Sequence, residues 1–144
     1  MIPPNSGAAY VQFYETMTPG AVAELGNFVS DDVRFKDPFN DVVGVEAYRR
    51  LLVKMFETVP DIAFTVSHRA IDGDACFLRW RCQGTIPRLG RAPWIVEGMS
   101  ELRFAEDGRV REHIDHWDAS AQFYERLPLL GGLLRLIRRR VASH

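Results

Sequence analysis

The spacing of the hydrophobic residues changes partway along the chain, and this change constrains the fold more than any other feature. Before residue 60 these residues mostly recur every three or four positions, which is typical of amphipathic helices. A first helix is predicted from Tyr10, Phe13, Tyr14 and Met17, and a short one follows Thr18-Pro19. A long helix is predicted from Val45, Tyr48, Leu51, Leu52, Met55, Phe56 and Val59.

The remaining pattern has the two-residue period of β-strands. One such segment, residues 33–37, precedes the long helix and leads into a predicted loop over 38–41. Four more run from residue 62 to residue 117, divided by turns at 72–73, 87–90 and 106–108. The inward faces of the two central strands are expected to carry Cys76, Leu78, Trp80, Cys82, Trp94, Val96, Gly98, Ser100, Leu102 and Phe104.

Helices followed by a four-stranded meander predict the α+β class. We expect a cone in which a strongly bent antiparallel sheet carries helices on its concave face and leaves a pocket between the two layers. Residues 1–144 are interpreted as a single domain, with a core over about 6–118 and a C-terminal helical extension over 119–142.

Composition and charge exclude several classes of protein. The chain of 144 residues is 47% hydrophobic, which is incompatible with disorder. Residues 1–125 hold 13 basic and 19 acidic residues, a net charge of −6 that argues against a nucleic-acid partner. Cys76 and Cys82 are too far apart in one strand to bridge, so we expect free thiols and a cytoplasmic location. Neither zinc spacing nor a phosphate-binding glycine pattern occurs, so we expect no metal and no cofactor.

The order of these elements, with Asp37-Pro38-Phe39 ending the first strand, resembles the nuclear transport factor 2-like superfamily. The most similar patterns are those of ketosteroid isomerase and the SnoaL-like polyketide cyclases. This resemblance implies that Asp37 is a general base, that Tyr14 donates a hydrogen bond to the substrate oxygen, and that Trp117 lines the pocket. Ser100 stands where the isomerase has a protonated aspartic acid, and a hydroxyl group is the weaker donor.

Three residues of the last strand, His113, Asp115 and Trp117, share one face. Alternation does not decide which face points inward, because Val110 and Ile114 lie on the other one, and a β-bulge can switch the face partway. The resemblance places the first three in the pocket, where His113 and Asp115 would form an acid/base pair. The alternative is a solvated strand face.

The other candidate residues also have structural interpretations. Asp37 can simply start a turn, and Tyr14 can be a core tyrosine. His68 is expected in the pocket wall or the core. The expected substrate-binding side chains are Ser100, Trp117, Trp80 and Phe56.

Three functions remain open at this stage. The first is an isomerase, cyclase or dehydratase that uses general acid/base chemistry on a small apolar carbonyl compound, with Asp37 or Asp115 as the base. A variant, epoxide hydrolysis, resembles another branch of the superfamily and calls for an inward arginine between two acids, which the alternation does not provide. The second is a module that binds a small apolar ligand without turning it over. The third is a dimerising interaction domain with a vestigial cavity.

We expect a homodimer formed by the outer face of the sheet, where Phe77, Ile95 and Met99 lie among charged residues. The alternative is a solvated face with ion pairs inside one chain. The C-terminal segment provides a competing surface, because Leu129, Leu130, Leu133, Leu134, Ile137 and Val141 form an apolar stripe flanked by arginines. That stripe is expected to pack on its own domain or on a partner subunit, and membrane contact is the less favoured interpretation.

Overall fold

A computed structural model describes residues 2–142 of the chain. The α-helices within these residues are Ala8–Glu15 (α1), Val45–Thr58 (α2), Ala119–Gln122 (α3) and Leu130–Val141 (α4). The strands are Val29–Lys36 (β1), Asp41–Val43 (β2), Ala63–Asp72 (β3), Ala75–Gly84 (β4), Trp94–Phe104 (β5) and Val110–His116 (β6). Shorter 3-10 helices occupy Gly20–Asn27, Pro87–Leu89 and Tyr124–Arg126.

All six strands form one sheet in the order β2-β1-β6-β5-β4-β3. Its neighbouring strands are antiparallel except β1 and β6, which pair in parallel. The α+β class and the cone-shaped fold are therefore confirmed, but the sheet is mixed rather than wholly antiparallel. The parallel pair joins strands from opposite ends of the chain, which no local pattern in the sequence encodes.

One face of the curled sheet is covered by α1, α2 and the 3-10 helix Gly20–Asn27. Their apolar residues meet those of the sheet in a single buried cluster that includes Phe13, Leu25, Leu52, Val33, Val96 and Leu102. Thr18 precedes the 3-10 helix and satisfies its first turn, because its hydroxyl oxygen accepts the N–H of Ala21 at 3.2 Å. The sequence analysis missed strand β2, which begins at Asp41, the last residue of the predicted loop.

A β-bulge in β3 corrects the prediction for His68. Val66 pairs with Trp80 and His68 with Arg79, which leaves Ser67 as the extra residue. The extra residue reverses the alternation of side chains along β3. His68 therefore points outward, like its partner Arg79, and not toward the cavity. His68 is exposed and belongs to neither the pocket wall nor the core.

A second bulge decides the orientation of β6. Arg103 pairs with Glu112 and Phe104 with Val110, which leaves Arg111 unpaired. Val110 therefore points into the core before the bulge, and His113 points inward after it. Both residues are buried, with His113 only 3% exposed.

The outer face of the sheet and the C-terminal helix are less covered. Ion pairs occur on the outer face, between Arg79 of β4 and Glu97 of β5 at 3.9 Å and, within β5, between Arg103 and Glu101 at 2.9 Å. Most of the stripe on α4 is exposed in the chain, so it does not pack on its own domain, and packing on a partner subunit stays a prediction. No helix within residues 2–142 is long and apolar enough to cross a membrane.

Candidate functional site

A small cavity lies between α1 and the inner face of the sheet. Its volume is about 30 Å³, which is room for about two water molecules. Apolar and aromatic side chains form most of its wall, and the polar groups gather on one side. The lining residues are Tyr10, Val11, Tyr14, Phe64, Val66, Leu78, Trp80, Ser100, His113 and Asp115.

Three tyrosine hydroxyl groups meet beside the cavity. Tyr10 and Tyr14 are four residues apart on α1 and so share one face of the helix, while Tyr48 reaches them from α2. The Tyr10 and Tyr48 oxygens are 2.5 Å apart, and the Tyr14 hydroxyl also bonds to Tyr48. Burial raises the pKa of all three hydroxyl groups above the ordinary range, so they stay protonated and act as hydrogen-bond donors.

The carboxylate of Asp115 is held by two side chains from the sheet. Ser100 lies directly opposite Asp115 on β5 and donates to its Oδ1 at 2.5 Å. His113 is two residues before Asp115 on the same strand face, and its Nε2 lies 2.6 Å from the same oxygen. Trp80 completes the group from β4, donating from Nε1 to the Ser100 oxygen at 2.7 Å.

His113 joins the tyrosine cluster and the carboxylate cluster into one hydrogen-bond network. The Tyr10 hydroxyl lies 2.6 Å from His113 Nδ1, and the Tyr48 hydroxyl lies 3.5 Å from it. Among residues 2–142, Asp115 Oδ2 makes no hydrogen bond, although Asp115 lines the cavity. That oxygen is therefore the free basic atom of the site.

Asp37 is placed differently from Asp115. Its Oδ1 accepts the backbone N–H groups of Phe39 and Asn40 at 2.8 and 2.7 Å, as in a turn-initiating aspartate. Burial raises the pKa of Asp37, and the Asp115 carboxylate adds to that effect, while the hydrogen bonds of the turn oppose it. Asp37 lies outside the cavity lining, so its carboxylate supports the loop in this conformation.

The structure thus brings together five of the eight predicted site residues: Tyr14, Trp80, Ser100, His113 and Asp115. Trp117 and Phe56 do not line the cavity. Trp117 packs edge-to-face on Phe39, with ring centroids 5.5 Å apart, and Phe56 is buried in the core.

Tyr10 and Tyr48 are the functional candidates that the sequence analysis missed. The periodicity places both on apolar helix faces, and both are buried with their hydroxyl groups in the network. The signal available in the sequence was the pair Tyr10 and Tyr14, whose spacing of four places two hydroxyl groups on one helix face.

Among the described lining residues, Asp115 is the one acidic side chain, and His113 is its hydrogen-bond partner. No arginine is among the described lining residues, which agrees with the outward alternation of Arg79, Arg81 and Arg103. Within residues 2–142, no three His, Cys, Asp or Glu side chains converge as metal ligands do.

Comparison with known proteins gives one family match. The model of the SnoaL-like domain matches residues 10–113, which is most of the chain. That match spans α1, α2 and the sheet as far as His113. No curated protein sequence is significantly similar to the chain.

Several solved structures share the fold at low sequence identity. One, described as a SnoaL-like polyketide cyclase from Jannaschia sp. CCS1, has 16% identity and a TM-score of 0.71, covering 84% of this chain and 92% of that one. A protein with a ketosteroid isomerase-like fold from Catenulispora acidiphila has 17% identity and a TM-score of 0.69, covering 84% and 91%. An epoxide hydrolase of M. tuberculosis has 18% identity and a TM-score of 0.68, covering 94% and 96%. These similarities establish the fold.

Proposed function

Because the chain belongs to the SnoaL-like domain family, we propose that it is an enzyme performing general acid/base chemistry on a small, mostly apolar carbonyl compound. Relatives of this fold include proteins described as polyketide cyclases, isomerases and an epoxide hydrolase. Fold alone does not select one of these reactions. The choice of acid/base chemistry comes from the side chains at the cavity.

The observation that carries the proposal is the Asp115 carboxylate at the cavity. One oxygen is fixed by His113 and Ser100, and the other has no partner within the described chain. A carboxylate held in this way can remove a proton from the carbon next to a carbonyl group. Tyr14 lines the same cavity, and the apolar wall excludes water, which strengthens the polar interactions of a bound substrate.

Asp115 then holds the proton that it has removed. Returning that proton to a different carbon gives an isomerisation. Attack of the enolate carbon on a second carbonyl group, with the proton passing to the new alkoxide, gives a cyclisation. Transfer of the proton to a neighbouring hydroxyl group, which then leaves as water, gives a dehydration. All three begin with the same proton transfer, so Asp115 is the base in each of them.

The first prediction tests this base by hydrogen exchange. Small ketones in D₂O exchange the hydrogens next to the carbonyl group, and ¹H NMR measures the rate. We expect the protein to accelerate the exchange of at least one such ketone. Asp115→Asn should lower that acceleration by about 10²–10⁴-fold, because a positioned general base contributes that much.

Two charge-matched variants serve as comparisons. Asp37→Asn should keep most of the acceleration, since Asp37 supports a loop outside the cavity. Asp32→Asn removes an exposed carboxylate and should have no effect. Exchange at the parent rate in Asp115→Asn, or no acceleration of any ketone, would refute the proposal.

A second candidate function is an interaction domain whose cavity no longer admits a ligand. The volume of about 30 Å³ favours it, because a ligand of more than a few atoms requires the wall to move. Under this alternative, the hydrogen-bond network only stabilises the core. Loss of stability in Asp115→Asn without any ketone exchange in the parent protein would support it.

A further inference from the structure

The direction of each hydrogen bond in the network can be assigned from groups that have only one role. The indole Nε1 of Trp80 can only donate, so Ser100 Oγ accepts from it at 2.7 Å. The hydrogen of the Ser100 hydroxyl is then directed to Asp115 Oδ1, 2.5 Å away. An ionised carboxylate can only accept, which fixes the opposite end.

The same reasoning fixes the tautomer of His113. Its Nε2 faces the Asp115 carboxylate at 2.6 Å, so Nε2 must carry the hydrogen. In a neutral ring, Nδ1 then has a free lone pair, and the Tyr10 hydroxyl donates to it at 2.6 Å.

The remaining hydroxyl hydrogens follow in sequence. Tyr10 donates its hydroxyl hydrogen to His113, so its oxygen accepts the hydrogen bond from the Tyr48 hydroxyl at 2.5 Å. The Tyr48 oxygen in turn accepts from Tyr14. Every polar hydrogen of the network therefore points along the chain of bonds toward Asp115, and none is left for a ligand.

The ligand therefore meets acceptors only. The lone pairs of Tyr14 and the free Oδ2 of Asp115 are the polar atoms that the network leaves unused beside the cavity. A ligand oxygen that can only accept would meet these oxygens without a hydrogen between them, which is unfavourable in an apolar site. A ligand that brings a hydrogen satisfies them.

We propose that the cavity binds a hydroxyl- or enol-bearing compound, whose O–H group donates to the Tyr14 oxygen. This inference rests on the proposed function and names the substrate class for the same site: a carbonyl compound that also carries a hydroxyl group, or its enol form. It reverses the role expected for Tyr14, which becomes an acceptor toward the bound ligand instead of a donor.

The opposite arrangement makes distinct predictions. If a hydrogen sat on His113 Nδ1, the tyrosine hydroxyl groups would turn around, and Tyr14 would donate into the cavity. This would require either an imidazolium ring, with hydrogens on both nitrogens, beside an ionised Asp115, or a proton on Asp115 Oδ1 that faces a bare Nε2. A carbonyl oxygen would be the preferred ligand group under that arrangement.

The first measurement is made on the unmodified protein. ¹⁵N NMR of the histidine rings distinguishes a protonated ring nitrogen from a bare one, and the signals of His113 are assigned by their absence in His113→Gln. We expect hydrogen on Nε2 and none on Nδ1. A hydrogen on Nδ1, whether the ring is neutral or protonated at both nitrogens, would overturn the inference, and this readout needs no ligand and no variant of the tyrosines.

The second measurement compares three probes of similar size: cyclohexanol, cyclohexanone and methoxycyclohexane. Only the first can donate a hydrogen bond. NMR titration should give about threefold to tenfold tighter binding of cyclohexanol, the value of one such bond. Tyr14→Phe should remove this preference, while Tyr124→Phe, a half-exposed tyrosine outside the cavity lining, should keep it.

Equal or tighter binding of cyclohexanone would overturn the inference, as would failure of all three probes to bind. These outcomes are distinct from failure of the proposed function. A protein that accelerates ketone exchange through Asp115 but prefers cyclohexanone would retain the function and lose the assigned ligand class. A protein that prefers cyclohexanol but exchanges no ketone would retain the ligand class as that of a binding module.

Discussion

Burial raises the pKa of the Cys82 thiol to about 12, and the nearby Asp115 carboxylate adds to the effect. Burial also raises the pKa of Cys76. Since the thiolate is the reactive form, only about one thiol in a thousand is ionised at pH 9 for a pKa of about 12. Ionisation increases as the pH rises, so reactivity should stay low through the neutral and mildly alkaline range.

We therefore predict slow alkylation of both cysteines by iodoacetamide at pH 8 in the folded protein. Mass spectrometry should detect rapid double modification once urea exposes the thiols, which serves as the control. Rapid single modification of the folded protein at Cys82 would contradict the prediction.

Single residues also mark the limit of prediction from sequence. Asp37 lies two residues before Phe39 and Asp115 two residues before Trp117, and the sequence alone allows either carboxylate to be the base. What separates them is the partner of each carboxylate oxygen: the turn at Phe39 and Asn40 for one, and Ser100 and His113 for the other. Cross-strand partners depend on the pairing register of two strands, and that register cannot be determined from the residues of one strand alone.

At the scale of elements, periodicity predicts most of the fold. The long helix α2 and the alternation of β4 and β5 agree with the structure, because their apolar residues follow one period throughout. The bulges at Ser67 and Arg111 interrupt that period. One of them turned His68 outward against prediction, and the other allowed both Val110 and His113 to be buried.

The packing of β5 beside Trp80 of β4 requires a glycine. Gly98 pairs with Trp80, and a Cβ atom added at Gly98 would lie 2.8 Å from Trp80 Cζ2 and 2.9 Å from Trp117 Cβ. It would also lie 2.9 Å from the His116 carbonyl oxygen, which belongs to the backbone and cannot move aside as a side-chain tip would. The glycine thus allows Trp80 to reach Ser100.

We predict that Gly98→Ala destabilises the protein by about 1–3 kcal/mol, the usual effect of overpacking a core. Urea denaturation measures the loss. Tryptophan fluorescence should change as well, since Trp80 must shift from Ser100. Gly20→Ala is the matched control, because nothing lies within 4 Å of the added atom, and its stability should be close to that of the parent. Equal stability of the two variants would show that the strands relax around position 98.

At the scale of the whole molecule, charge and apolar surface are unevenly distributed. Residues 126–144 carry five arginines and no acidic residue, while residues 1–125 have a net charge of −6. Helix α4 is fixed to the rest of the chain by one edge, where Arg138 Nε lies 2.6 Å from the buried Glu125 carboxylate and Gly131 packs closely. Its apolar stripe points elsewhere, with Leu133 and Ile137 about half exposed.

This distribution changes the balance between the two surfaces considered for a dimer. On the outer sheet face, Arg79 and Arg103 already have acidic partners in the same chain, and Met99 is the large apolar residue most exposed there, at 46%. The stripe on α4 exposes more apolar residues, and exposed apolar patches of this kind mark interaction sites. The arginines beside it would face the acidic body of a second copy.

We therefore predict that the chain forms a homodimer and that α4 contributes more to it than the sheet face. Light scattering of the parent protein should give twice the monomer mass. The double variant Leu133→Asp/Ile137→Asp places two charges in the stripe and should give a monomer, because burying unpaired charges at an interface is costly. Met99→Lys changes the sheet face in the same manner and should remain a dimer. If only the Met99→Lys variant dissociates, the interface lies on the outer face of the sheet. A monomeric parent protein would refute the prediction of a dimer.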